Sequence, residues 1–148
     1  MSRDNKDRSR RLLMAWTDKT PEVLDEIVAP EWIDHDVNWP FPDLRGPAAA
    51  KAALELYRST FPDLLVEIEE QFADGDRVIT RWFFGGTQTG DLPGVPATGR
   101  AFRVPGITID RHADGRLAES WSAWDAMTMY QQIGAVPPIG ELEKDGAR

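Results

Sequence analysis

The sequence predicts an α+β fold in which N-terminal helices cover one face of a strongly curved, mainly antiparallel sheet. Three observations carry that reading. Between residues 12 and 61 the apolar positions recur at helical spacing, and the second and third periodic runs are bracketed by Pro21 and Pro30 and by Pro47 and Pro62. From Leu64 onward the pattern changes to partly alternating runs rich in β-branched and aromatic residues. Asp74-Gly75-Asp76 and Ala113-Asp114-Gly115 then join those runs as hairpin turns. A curved sheet beneath helices leaves a cone-shaped space between the layers, which is where a ligand is expected.

Each element has its own warrant. Leu12, Leu13 and Trp16, behind an Arg-rich turn, form one amphipathic stripe ending near Asp18, and residues 1–10 are expected to be loose. Thr20-Pro21-Glu22 reads as an N-cap followed by proline at the first helical position, opening a short helix through Val28 that Pro30 stops. Residues 31–35 follow as a short extended or turn segment. Residues 36–46, with Trp39-Pro40 and Phe41-Pro42, form a loop. An Ala-rich helix over 47–61 places Ala49, Ala53, Leu54, Leu56 and Tyr57 near helical spacing. Strands are expected over 64–72, 78–84, 102–112 and 117–125, with a turn-rich loop over 85–99. Residues 127–133 form a closing helix that Gly134 stops, and the tail over 137–148 is expected to be loose. The 148 residues suffice for one domain with one core and one pocket.

Composition removes several classes of function. Lys and Arg total 17 against 25 Asp and Glu, giving a net charge of −8, which argues against nucleic acid and anionic lipid as partners. The acidity is concentrated in residues 12–75, where fourteen acids meet four bases; residues 76–136 balance six acids against six arginines. With zero cysteines there is no disulfide framework, thiol nucleophile or Cys-bearing metal site. No His, Asp and Glu spacing resembles a metal triad and no Gly-x-Ser-x-Gly occurs, so neither metal nor organic cofactor is expected. No apolar run reaches signal-peptide or membrane-span length, and a cytoplasmic protein is expected. Six tryptophans, Trp16, Trp32, Trp39, Trp82, Trp121 and Trp124, supply rigid apolar surface suited to a pocket for flat rings.

Few residues offer proton chemistry. His35, in Asp34-His35-Asp36, is a candidate general acid/base, because an imidazole beside a carboxylate suits proton transfer near neutral pH. A loop histidine that caps backbone groups is the alternative. Trp39 and Phe41 nearby are of the kind that lines a pocket mouth, while His112, beside the Asp114-Gly115 turn, reads as solvated. Arg81 interrupts an apolar run, so pointing inward it would need a carboxylate from Asp63, Glu119 or Asp125, in a catalytic or a structural pair. In the last strand, period two sets Glu119, Trp121 and Asp125 on one face and Ser120, Ser122 and Trp124 on the other. One of those faces meets the cone, and the pattern does not say which.

Several of these pieces occur in a characteristic order: Phe61-Pro62-Asp63, Asp74-Gly75-Asp76-Arg77-Val78 with Arg81-Trp82, Gly86-Thr87-Gln88-Thr89-Gly90 and Ala97-Thr98-Gly99-Arg100. Asp114-Gly115-Arg116, Trp121, Asp125 and Gln131-Gln132-Ile133-Gly134 continue it. Together, from about His35 to Gly134, they resemble the SnoaL-like polyketide cyclase family. The resemblance implies the cone-shaped α+β barrel of nuclear-transport-factor-like proteins, a homodimer, and cofactor-independent chemistry on polycyclic, often polyketide-derived substrates. Two positions depart from it. Where the family usually reads Thr-His-Thr, this chain has Thr87-Gln88-Thr89, and an amide can position a carbonyl or hydroxyl but cannot shuttle a proton. The aspartate that the family's aldol-type cyclases use as acid/base falls at Ser122, and their polar pair on the preceding strand falls near Gly106 and Thr108. Proton chemistry is therefore expected from elsewhere.

The expected function is cofactor-independent cyclisation or isomerisation of a bulky polycyclic natural-product intermediate. His35 is the expected acid/base, with Asp125 or Glu119 orienting it and Arg81 with Asp63 stabilising oxyanion charge. Trp32, Trp39, Phe41, Trp82, Phe84, Gln88, Thr108, Trp121, Ser122 and Trp124 are expected to hold the rings. Epoxide opening, a hydroxylase-type reaction and non-catalytic small-molecule binding on the same fold are the alternatives.

Overall fold

Helix α1 (Ser2–Asp18) opens the chain in the computed structural model, followed by α2 (Glu22–Ile27) and α3 (Gly46–Thr60). Strands β1 (Leu65–Asp74), β2 (Arg77–Thr87), β3 (Ala101–Ala113) and β4 (Arg116–Trp124) come next, and α4 (Ala126–Gln132) closes the order. The structure describes residues 2–137 and Gly140, so the tail expected to be loose lies outside the described residues apart from Pro137 and Gly140. The fold class is the one the sequence predicts. The four strands pair antiparallel in the order β1-β2-β3-β4, and register shifts at Ile68/Glu70 and Arg111/His112 add local twist and bend. Gly75 and Gly115 take the positive φ that the two hairpin turns require.

The N-terminus departs from expectation. Residues 2–10 belong to α1 rather than lying loose, because polar groups anchor them: Ser9 is fully buried, and Ser9 Oγ and Arg8 Nη1 sit 3.0 and 3.1 Å from the two ring nitrogens of His112. His112 is correspondingly 5% exposed, not solvated. Such an anchor carries no hydrophobic period and is invisible to one. At α2, Pro21 itself takes the N-cap place with φ −62°, and Thr20 contributes its carbonyl, which accepts from Val23 N, rather than a side-chain cap.

Period two sorts the sheet into two faces. Val78, Thr80, Trp82 and Phe84 of β2, then Phe102, Val104, Thr108 and Asp110 of β3, are buried on the inner face against the helices. Gly106 interrupts that row, because Trp82 lies across it: a Cβ there would run into the indole ring. One apolar cluster forms under the sheet around Phe61, Phe84 and Phe102, and a second joins the helices through Leu24, Ile27, Trp32 and Leu54; Trp16 packs against both. No helix among the described residues is long and apolar enough to cross a membrane.

The segment expected to be extended or a turn becomes a rim on the free edge of β4. Val28 bridges Leu117 and Asp34 bridges Ser120, both in parallel. Ala29 N donates to Leu117 O, Ser120 N to Ile33 O and His35 N to Ser120 O, at 2.9, 3.0 and 2.8 Å. The rim both covers an unpaired strand edge and alternates its side chains in and out as a strand does.

Candidate active site

Between the two apolar clusters lies a cavity of about 90 Å³. Leu12, Leu13 and Trp16 of α1 and Ala50 and Tyr57 of α3 form its helical wall. Val66, Trp82, Phe84, Thr108, Ser122 and Trp124 form its sheet wall, and Trp32, Asp34, Asp36 and Trp39 come from the rim and the following loop. Phe84 stands edge-on to Trp82, Phe102 and Trp124 with centroids 5.6, 5.1 and 5.1 Å away, an arrangement that fixes ring positions as well as burying area.

Two carboxyls enter this apolar space because the rim alternates. Asp34 and Asp36 point inward, and His35 between them points outward. Asp34 Oδ2 accepts from Ser122 Oγ at 2.8 Å, Ser122 Oγ lies 3.1 Å from Thr108 Oγ1, and Trp82 Nε1 donates to Thr108 Oγ1 at 3.0 Å. An indole nitrogen can only donate and a hydroxyl has one hydrogen, so the chain runs one way: Trp82 to Thr108 to Ser122 to Asp34. The other oxygen, Asp34 Oδ1, is buried without a partner. Burial pushes the Asp34 carboxyl up to about 7, the neighbouring charges of Asp36 and Asp110 add to that, and the Ser122 hydroxyl and His35 oppose it. Asp36 is held differently, with Oδ2 accepting from Trp124 Nε1 and Oδ1 from Asn38 N, each at 2.8 Å.

A carboxyl poised there at neutral pH can give or take a proton. It also costs stability. Because its folded pKa is raised, Asp34 favours the folded state most at low pH, and that contribution is lost as pH rises from about 4 to about 7. Asp34→Asn is therefore expected to raise Tm, more at pH 8 than at pH 5, in thermal melts of the two proteins. An equal change at both pH values would mean that Asp34 is not buried as an acid.

The residues singled out by chemical type sit elsewhere. His35 Nε2 lies 2.7 Å from Glu119 Oε2, and the ring stacks on Trp121 at 5.3 Å on the outer face of the sheet. Glu119 is held below the usual carboxylate range by His35 and then by Arg111. Arg81 also faces outward, where Arg81 Nε donates to Glu70 Oε1 across the β1–β2 pair at 2.8 Å; no inward partner is needed. Asp63 accepts from Thr87 N and Thr87 Oγ1 at 2.7 and 2.8 Å and so ties the end of α3 to β2. Asp125 caps α4, accepting from Thr128 N and Thr128 Oγ1 at 3.0 and 2.7 Å.

Among the expected ring-binding residues, Trp32, Trp39, Trp82, Phe84, Thr108, Ser122 and Trp124 line the cavity, and Phe41, Gln88 and Trp121 do not. Gln88 is fully buried: Gln88 Nε2 donates to Val95 O and Pro96 O, and Gln88 Oε1 accepts from Thr98 Oγ1, so the amide pins its loop. For the last strand, the face that meets the cone is the one bearing Ser120, Ser122 and Trp124. Asp34, Asp36 and Tyr57 are cavity residues that the sequence reading passed over, and Trp16, counted there among the tryptophans suited to a pocket, joins them. The signal for the two aspartates was the spacing of two around His35, which puts either the histidine or both aspartates inside. Among the described residues, no group of three or more His, Asp or Glu side chains is arranged to hold a metal ion.

A helical layer over a curved sheet, with an aromatic cavity between them and a buried carboxyl in its wall, is the architecture of the α+β cone class. The profile of the SnoaL-like polyketide cyclase family matches residues 6–133. The chain belongs to that family and is an enzyme of it. Similar proteins include the aklanonic acid methyl ester cyclases DnrD of Streptomyces peucetius and DauD of Streptomyces sp. strain C5. Each is 32% identical over 142 residues, covering 91% of this chain and 94% and 84% of the respective relative. Among solved structures, TsrD from Streptomyces laurentii superposes with a TM-score of 0.82 at 30% identity, covering 92% of this chain and 98% of that one.

Proposed function

We propose that this polyketide cyclase closes a ring in a bulky, polyketide-derived polycyclic substrate, with Asp34 as the general acid/base. The observation that carries the reading is the position of Asp34 in an aromatic cavity, one oxygen held by Ser122 and the other without a partner. In such a step Asp34 Oδ1 takes a proton from the carbon beside a substrate carbonyl, the resulting carbanion attacks a second carbonyl, and the proton returns to the new alkoxide. The product is an isomer of the substrate, and no proton or electron is left over. The hydroxyl chain behind Asp34 holds its carboxyl in place through both transfers, and Trp82, Phe84 and Trp124 hold the leading ring flat. The cavity of about 90 Å³ would take that leading ring, with the remaining rings lying outside it.

The activities named for the two relatives support trying aklanonic acid methyl ester first, alongside other neutral polycyclic esters with an enolisable carbonyl. The expected result is a product of unchanged mass with a new retention time and spectrum; a product that gains the mass of water or oxygen would overturn cyclisation. A cytoplasmic location and a homodimer complete the reading. The outer sheet face leaves Leu65, Phe72, Ile79 and Ile107 exposed, and the row Phe72, Ile79, Ile109, Trp121 crosses all four strands in register, which is the apolar area a second copy would cover. Ile107→Glu is expected to convert a dimer into a monomer in light scattering with helix and sheet content retained. A variant that stays dimeric would move the interface elsewhere.

A further inference from the structure

Asp110 on β3 is 1% exposed, does not line the cavity and has no part in the reading above. Hydroxyls converge on it. Asp110 Oδ1 accepts from Ser120 Oγ at 2.5 Å, and Ser120 Oγ in turn accepts from Trp32 Nε1 at 2.9 Å. From the helical side, Ser9 supplies a second hydroxyl. The direction of that contact follows from Arg8. A guanidinium only donates, so His112 Nδ1 must accept from it; His112 Nε2 then carries the ring hydrogen and donates to Ser9 Oγ, leaving the Ser9 hydrogen for Asp110. Asp110 Oδ2 is buried with no partner.

The sheet register brings Asp110 and Asp34 into one row. Asp110 stands opposite Ser120 in the β3–β4 pair, and Ser120 stands opposite Asp34 in the rim bridge, all three on the inner face. The two acids are matched: each has one oxygen bound by a serine, and each has the other oxygen buried and unpartnered. Ser120 stands between them, so the two carboxyls lie two strands apart on one buried face, where the charge of either raises the cost of ionising the other and retaining a proton on one relieves it.

We propose that Asp110 is the positioning residue that sets the protonation state of Asp34, the two carboxyls retaining one proton between them at neutral pH. The proposal rests on the reading of Asp34 as the acid/base. Burial acts on both in the same sense, pushing Asp34 to about 7 and Asp110 to about 6. Titration then belongs to the pair rather than to either residue. Of the other ionisable groups around them, Tyr57 in the cavity wall is pushed up by burial and stays neutral. Asp36 is tied to Trp124 and Asn38, and His35 faces away toward Glu119. His112 is kept neutral because burial, followed by the charge of Arg8, lowers its pKa to about 4, while Asp76 opposes this.

The test uses the full chain labelled with carboxyl-¹³C aspartate and followed by NMR from acid to alkaline pH, signals being assigned by their loss in Asp34→Asn and Asp110→Asn. In Asp110→Asn the Asp34 midpoint is expected to fall by about one unit or more. Coupling is reciprocal, so in Asp34→Asn the Asp110 midpoint falls by a like amount. A role confined to packing would shift neither. An unmoved Asp34 midpoint in an Asp110→Asn protein with native near-ultraviolet dichroism overturns the proposal. If that variant does not fold, an unmoved Asp110 midpoint in Asp34→Asn overturns it instead. Turnover of Asp34→Asn reports separately on the cyclase reading: full activity with coupled midpoints removes the acid/base role and leaves the shared proton standing.

Discussion

Asp34→Asn is expected to lower turnover by about 10²–10⁴-fold, the usual worth of a positioned acid/base, with KM little changed. Asparagine has the same shape, and its side-chain carbonyl still accepts the Ser122 hydroxyl that holds Asp34 at 2.8 Å, so the cavity wall stays in place. What it loses is the ability to take a proton. The controls are His35→Ala and Glu119→Gln. Both residues lie on the outer face, 2.7 Å from one another, so their variants should turn over substrate at close to the wild-type rate. Steady-state kinetics on the four proteins decides the matter: an undiminished Asp34→Asn rate, or a collapse in His35→Ala, would transfer the acid/base role out of the cavity.

Trp32→Ala is expected to cost about 3–5 kcal/mol of stability, as for other buried tryptophans cut to alanine. Trp32 is 2% exposed, donates Nε1–H to Ser120 at 2.9 Å and meets the Trp39 ring edge-on with centroids 5.7 Å apart. Removing it opens a void between the helices and leaves Ser120 without its indole donor. At about 2–4 °C per kcal/mol for a domain of this size, the melting temperature should fall by roughly ten degrees. Trp32→Phe keeps most of the packing and loses the hydrogen bond, so its melting point should lie between the two. Calorimetry on the three proteins checks the order, and an alanine variant that melts with the wild type would mean that the Trp32 site collapses without cost.

The fold was legible because its signals are local. Asp74-Gly75-Asp76 and Ala113-Asp114-Gly115 mark both hairpins, and prolines bracket α2 and α3. Strand limits came within a few residues for the same reason. Arg81 was legible as well, since Val78, Thr80, Trp82 and Phe84 at period two send it outward; chemical type drew attention away from the period. The site was harder. Whether His35 or its two neighbours face the cavity depends on how the rim pairs with β4, a contact between segments far apart in the chain, and no local pattern encodes it. Gln88 shows the same limit in another form. Its amide suits a ligand and a buried loop equally well, and the partners that decide between them, Val95, Pro96 and Thr98, are fixed by the loop's path.

The rim also sets an order of assembly. The two hairpins close over turns of a few residues, whereas Asp34 and Ser122 meet across 88 positions of sequence. Loop closure over that distance is slower and comes after the local contacts that make it worthwhile. The expected order is therefore hairpins first and rim last, with a stage between in which the rim has not docked. During that stage the edge of β4 is bare and can pair with a stranger. Docking of the rim ends that stage in one event: it brings the Asp34 carboxyl into the cavity and covers the edge of β4.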